Sequence, residues 1–288
     1  MGHGLYTRRM PTYRLLIEYD GSKFAGWQVQ AQGRTVQGVL LAALRELTGE
    51  REIDLQGAGR TDAGVHALGQ VASLRCRGRI EPHRTLAALE RALPADLAVL
   101  DLGEAARSFH ARHDAIARSY RYQLARRRSA FGKRFTWWVG DLDAARMREA
   151  AALFVGRHDF AALSKRAQDA ESTLVEVERY EVAEAGDLVE LRIVASHFLW
   201  SQVRRMVGAL VVIGRGEARP GAVAAWLTGA APPPPLAAPA AGLFLEAVRY
   251  PADPWELPPL GPLAVPCAAH ARADATAVSG TPRGRPQR

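Results

Sequence analysis

The feature that most limits what this chain can fold into is a pair of alternating segments closed by a tight turn. Leu174–Val182 and Leu188–Ala195 alternate apolar and polar residues in strand fashion, and Gly186-Asp187 stands between them as hairpin turn chemistry. Strands joined so closely must run antiparallel. Around this hairpin, strand and helix periods follow one another irregularly. Tyr13–Tyr19 reads as a strand ended by Asp20-Gly21, and Gln70–Leu74, Leu97–Leu102, Ala117–Leu124 and Leu243–Tyr250 read as further strands. Thr35 is placed to cap a helix with Val36, Val39, Leu40, Leu44 and Leu47 on one face and Gly49 as its stop. Helical patterns recur over Arg84–Leu93, from Asp143 to Phe154, over Phe198–Ile213, and from Pro220 to Leu227. This is not a regular βαβα order, so the chain is expected to be α+β with a mainly antiparallel sheet.

At 288 residues it is long enough for a sizeable core. Basic residues exceed acidic ones by 38 − 30 = +8, an excess that fits either a polyanionic partner such as nucleic acid or a generally solvated surface. Cys76 and Cys267 are far apart and make no metal-ligand spacing, which speaks against a disulfide framework or a zinc knuckle. Met1–Thr12 has arginines without an apolar run behind them, so no signal peptide is expected, and a reducing cytoplasm is the simplest compartment. Past Tyr250 the chain carries Pro251, Pro254, Pro258, Pro259, Pro262 and Pro266. Such a tail can bury little surface against its ordering entropy and is expected not to pack.

The segment Gly57-Ala58-Gly59-Arg60-Thr61-Asp62-Ala63-Gly64-Val65-His66 has three glycines and no usable period, so it is a loop. Glycines flanking Arg60 and Asp62 let another backbone or a phosphodiester approach closely. Spaced two apart, Arg60 and Asp62 point to the same side of an extended loop, where a guanidinium keeps a carboxylate ionised. The alternative is a glycine-rich turn with an exposed ion pair. The glycine spacing fits neither Gly-x-Gly-x-x-Gly nor a P-loop, which argues against a nucleotide cofactor. Tyr120, on an arginine-rich strand, is either a stacking surface for an unpaired base or a core tyrosine. Arg204, on an otherwise apolar helix, either pairs with an acid or snorkels to the surface. The loop Arg126, Arg127, Arg128 through Lys133 and Arg134 holds five basic residues and no acid, as a phosphate contact or a solvated turn would. His110 and His113 lack convincing companion ligands, so no metal site is expected there.

The run Gly57–His66 closely resembles the signature of the tRNA pseudouridine synthase A family. Around it stand Tyr19-Asp20-Gly21, Gly26-Trp27-Gln28, Thr35-Val36-Gln37, Phe109-His110-Ala111-Arg112, Tyr120-Arg121-Tyr122, Gly156-Arg157-His158-Asp159-Phe160 and Phe198-Leu199 followed by Gln202-Val203-Arg204 and Val207-Gly208. The resemblance spans roughly residues 13 to 250. It implies a pseudouridine synthase fold of two α/β halves, 13–113 and 114–250, around a shared sheet with a central cleft, followed by the tail 251–288. It implies isomerisation of uridines 38, 39 and 40 in the anticodon arm of tRNA, without a cofactor, by a cytoplasmic homodimer. Asp62 matches the catalytic aspartate, cast as the nucleophile, although attack on the sugar, attack on the base and removal of a 2′ proton all stay open. Arg60 matches its loop partner, Arg204 the basic residue that pairs with it, and Tyr120 the tyrosine that stacks on the target base. Given the family, Arg126, Arg127 and Arg128 are expected to bind RNA phosphate. Two rivals are an RNA-binding module without catalysis and a hydrolase pairing Asp62 with His66. The chain departs from the family pattern at Trp200-Ser201, where a His-His pair is usual, and at Arg205, where an Asn is usual.

Overall fold

The computed structural model describes residues 10–165, 167–169, 171–251 and 253–263. The strands are β1 (Thr12–Tyr19), β2 (Ile53–Gly57), β3 (His66–Cys76), β4 (Leu97–Glu104), β5 (Ala117–Ala125), β6 (Trp137–Trp138), β7 (Gly156–Asp159), β8 (Leu174–Ala185), β9 (Leu188–Ala195) and β10 (Leu243–Arg249). The helices are α1 (Val36–Thr48), α2 (Pro82–Ala92), α3 (Ala144–Ala152), α4 (Gln202–Gly214) and α5 (Ala222–Leu227). All ten strands join one sheet in the order β4-β1-β3-β10-β5-β9-β8-β7, with β2 added on β3 and β6 on β5. Pairing is antiparallel except for β10 with β3 and β5 with β6. The expected α+β architecture with a mainly antiparallel sheet is therefore what forms. β10 pairs with both β3 and β5, so the last strand in sequence lies near the middle of the sheet. No helix of the described residues is long and apolar enough to cross a membrane.

Local chemistry sets the helix ends. Thr35 Oγ1 accepts the Gly38 N–H at 3.2 Å, and Gly49 ends α1 at φ +70°, its N–H donating to Arg45 O. Glu81 caps α2 ahead of Pro82, and Asp143 caps α3 through the Arg146 N–H at 3.0 Å. The helix expected from Phe198 begins only at Gln202. Ser201 holds φ +64°, outside the right-handed helical region, and this turns Phe198 to Trp200 off the helix axis. Strand β2 and the short β6 and β7 carry too few alternating residues to be read from the sequence.

The two faces of β5 differ in kind. Tyr120 and Tyr122 point one way, Tyr120 edge-on to Phe198 and Tyr122 Oη donating to Pro239 O at 2.8 Å. Ser119, Arg121 and Gln123 alternate to the other face, where a layer of charge is buried. There Arg192 grips Glu246 with two N–H groups at 2.7 and 2.8 Å, Ser119 Oγ donates to the same carboxylate, and Arg121 Nη2 donates to Glu190 at 3.2 Å. Glu190 is fully buried, and burial raises its pKa to about 7 against the opposing pull of Arg121.

This charge layer explains where the tail expectation fails. Residues 253–263 pack: Pro258 O accepts from Arg192 at 2.7 Å, Gly261 O accepts from Arg121, and the Leu263 N–H donates to Gln123 at 3.2 Å. Asp253 pairs with Arg14, and Arg249 lies over the Trp255 ring at 5.3 Å. A proline-rich strand has few N–H donors but a full set of carbonyl acceptors, and buried guanidiniums need acceptors. Residue 252 and residues 264–288 of the tail lie outside the described residues.

Candidate active site

The glycine loop between β2 and β3 is held from several sides. The Trp27 ring packs on Gly57 so closely that a Cβ there would sit 2.5 Å from it. The Trp27 N–H donates to Thr61 O at 3.1 Å, and Tyr19 Oη and Thr61 Oγ1 share a hydrogen bond of 2.8 Å. Gln70 Nε2 donates to Gly59 O, and the Val65 N–H closes a turn on Asp62 O. A Cβ on Gly21 would lie 1.9 Å from Val65 O, so only glycine lets the first loop cross beneath. These contacts leave little freedom at Asp62, which stands on the loop with its side chain 30% exposed.

Two donors meet that carboxylate. Arg204 Nη1 donates to Oδ2 at 3.3 Å and Trp200 Nε1 donates to Oδ1 at 3.1 Å. Arg204 is itself aimed by Nε donating to Ala238 O at 2.7 Å. That carbonyl is within reach because the chain crosses α4 at Gly208, where a Cβ would meet Leu236 O at 2.2 Å. Tyr120 lies beside the loop, its hydroxyl 3.8 Å from where a Gly59 Cβ would be. Burial pushes its pKa up to about 12, so the phenol keeps its proton at neutral pH.

The structure thus brings together Asp62, Arg204 and Tyr120. It does not bring Arg60 to Asp62: among the described residues Arg60 makes no ion pair, and its side chain is exposed. In a loop bent by the turn at residues 62–65, a spacing of two does not put side chains on one side. The basic loop stands apart as well. Arg126 pairs with Glu184 at 2.6 Å, Arg127 with Asp187 at 2.5 Å, and Arg128 lies over Trp138 at 5.2 Å. The loop itself has no acid, but the β8–β9 hairpin supplies two. Arg126 also lies roughly 20 Å along the strand from Tyr120, at about 3.3 Å per residue. His66 does not serve Asp62 either. Its Nδ1 accepts the Gly21 N–H at 3.0 Å, with Asp20 at 3.2 Å, while Nε2 faces the carbonyls of Arg134 and Ala241. Burial lowers its pKa, so it is neutral, and the two carbonyls assign the proton to Nε2. The Asp62–His66 hydrolase arrangement is not formed.

Two residues of the site escaped the residue-by-residue reading. Trp200 looked only like a departure from a family pattern. Arg118 is buried beside Tyr120 and donates to Ala58 O, Arg112 O, Ala115 O and Ser196 O, between 2.7 and 3.1 Å. It stitches the glycine loop to the two flanking segments, and among the described residues its hydrogen bonds go to carbonyls and it makes no ion pair, so no carboxylate neutralises its charge beside Tyr120. Its place on an arginine-rich strand was visible, but its four carbonyl partners come from distant segments. Among the described residues no group of three or more His, Cys, Asp and Glu side chains is placed to hold a metal.

Comparison with known proteins bears on the same residues. A family model described as tRNA pseudouridine synthase matches residues 15–114 and 150–251. Asp62 and Arg60 fall in the first stretch and Trp200 and Arg204 in the second, whereas Tyr120 and the basic loop fall between them. The tRNA pseudouridine synthase A of Moorella thermoacetica is 44% identical over 251 residues, covering 84% of this chain and 100% of the relative. That of Agrobacterium fabrum is 41% identical over 252 residues, covering 84% and 93%. That of Pelobacter propionicus is 42% identical over 246 residues, covering 84% and 100%.

Proposed function

The chain belongs to the tRNA pseudouridine synthase family, and from that premise we propose that it converts uridines 38, 39 and 40 in the anticodon arm of tRNA to pseudouridine, with Asp62 as the catalytic carboxylate. The observation that carries this reading is the carboxylate itself, held between Arg204 and Trp200 on a glycine loop next to Tyr120.

The reaction breaks the N1–C1′ bond of uridine and forms a C5–C1′ bond. The proton displaced from C5 is balanced by one gained at N1, so nothing is oxidised and no group is imported. A uridine inside a stacked arm cannot present its glycosidic bond, so it must turn out into the cleft. Attack on C1′, attack on the uracil ring and removal of a 2′ proton each need an ionised carboxylate with little freedom. Arg204 supports that state by charge and by its aim from Ala238. Tyr120, protonated and edge-on to Phe198, offers an aromatic face to the base and a hydroxyl donor, and it is not itself a base at neutral pH. Arg118 adds positive potential where an RNA backbone enters.

The remaining family expectations belong to the same reading. The active enzyme is a homodimer in the cytoplasm, with its halves at 13–113 and 114–250, and Arg60 contacts RNA rather than Asp62. With Arg126 and Arg127 already paired to acids, RNA phosphate would have to compete with Glu184 and Asp187 at that loop. The test is incubation with an unmodified tRNA transcript, followed by mapping of pseudouridine at single-nucleotide resolution. Product at 38, 39 or 40 is the expected result. Product confined to other positions overturns the site assignment, and no product overturns the activity.

A further inference from the structure

Trp200 combines features that the proposed chemistry has not yet used. Its indole N–H is committed to Asp62 Oδ1 at 3.1 Å, yet the residue is 48% exposed. The Lys165 ammonium lies over the ring at 5.9 Å from its centre, and the Lys165 N–H donates to Trp200 O at 2.8 Å. The turn that carries it is strained: Ser201 is the non-glycine residue with positive φ among the described residues, and its buried Oγ has no partner. Leu199 and Gln202 close this turn twice, through the Leu199 N–H to Gln202 Oε1 at 2.8 Å and the Gln202 N–H to Leu199 O at 3.1 Å. A strained turn is kept where surrounding structure over-determines it, and here the turn delivers an indole edge to a carboxylate.

We propose that Trp200 is a positioning residue for Asp62 and that the exposed part of its ring is the stacking platform for the nucleobase next to the flipped uridine. The inference rests on the functional reading above. Extruding a uridine leaves its neighbour without a stacking partner. An aromatic face beside the reacting carboxylate replaces that partner whatever the base, because every base has a π-face. Lys165, on the same ring, is placed for the phosphate that links the two nucleotides. The edge and the face of one side chain thus do separate jobs. The N–H orients Oδ1 while Arg204 holds Oδ2, and the ring registers the strand.

Because the jobs reside in different parts of the side chain, two variants separate them. Trp200→Phe keeps a ring and removes the N–H. It is expected to lower kcat about tenfold while KM for tRNA stays within about twofold, since one hydrogen bond to a charged group is lost but stacking is kept. Trp200→Ala is expected to show the same fall in kcat and, in addition, a rise in KM of about tenfold. Thermal midpoints report whether either change acts through folding. Tryptophan fluorescence gives a readout independent of turnover. tRNA is expected to quench the wild type and Asp62→Asn equally, and Trp200→Phe clearly less. A wild-type enzyme that binds tRNA with this quench but makes no pseudouridine would overturn the functional reading and leave the platform supported. Wild-type or higher kcat in Trp200→Phe overturns the positioning role. Unchanged KM in Trp200→Ala, or a quench that survives in Trp200→Phe, overturns the platform. Parallel loss of kcat, KM and thermal midpoint in both variants reduces Trp200 to a structural residue and overturns both.

Discussion

Glu190→Gln tests the buried charge layer with a magnitude that follows from the structure. Glu190 is fully buried among Arg121, Arg192 and Glu246, and its pKa rises from 4.5 to about 7 because burial outweighs the attraction of Arg121. A raised folded-state pKa means the native protein binds more protons than the unfolded chain between those two values. The contribution of Glu190 to stability is therefore greatest below pH 4.5 and is lost as pH rises through 7. At about 1.36 kcal/mol per pKa unit the whole loss is ~3 kcal/mol, of which ~2 kcal/mol falls between pH 5 and pH 8. For a chain of this size that corresponds to roughly 4–8 °C in thermal midpoint. Glutamine keeps an acceptor for Arg121 and adds a donor, but it does not titrate. Its melting curve should coincide with the wild type at pH 5 and lie several degrees above it at pH 8. Calorimetric melts of both proteins across this range cancel every other titrating group in the difference. Parallel curves, or a variant less stable than wild type at pH 8, would show that Glu190 stays ionised and paired, and the reasoning would fail.

Asp62→Asn should abolish pseudouridine formation while tRNA affinity stays within a few-fold, because a carboxylate does not hold phosphate; full turnover by the purified variant would remove Asp62 from the chemistry. Arg204→Ala should lower kcat about 30-fold, the kinetic equivalent of ~2 kcal/mol for one charge-assisted hydrogen bond at a partly exposed pair. Arg204→Lys should recover only part of this, since one ammonium cannot serve both Asp62 and Ala238 O; equal rates for the lysine variant and the wild type would refute the two-point role. A chain ending at Leu257 loses the Pro258 and Gly261 acceptors of Arg192 and Arg121, and its midpoint should fall by several degrees, from a loss of about 2 kcal/mol, while turnover is kept at lower temperature. An unchanged melting curve would mean those carbonyls are replaced by water at no cost.

Much of this protein is readable from residues near one another in sequence. The caps at Thr35 and Asp143, the stop at Gly49, the hairpin at Gly186-Asp187 and the glycine loop around Asp62 all depend on contacts a few residues long. Their physics is local, and the expected elements formed with only their ends displaced. Long-range pairing was not legible in that way. Asp62 meets Arg204 142 positions away and Trp200 138 positions away, while Arg60, its near neighbour, turns outward. The residues alone left Arg204 either paired with an acid or snorkelling to the surface; Asp62 as its partner came only through family likeness, and Trp200 entered as a departure from that likeness. The acids that occupy Arg126 and Arg127 come from the far hairpin, 58 and 60 positions away in sequence. The proline-rich segment looked unable to pack because its own pattern buries nothing. It packs because Arg121 and Arg192, on strands of another part of the chain, have N–H donors to spare beyond those taken by Glu190 and Glu246, and its carbonyls accept from them. Sequence determines period, caps and turns, since these are settled within a few bonds. Which charge meets which is decided only when the sheet closes, because a buried ion must take whatever partner the fold brings to it.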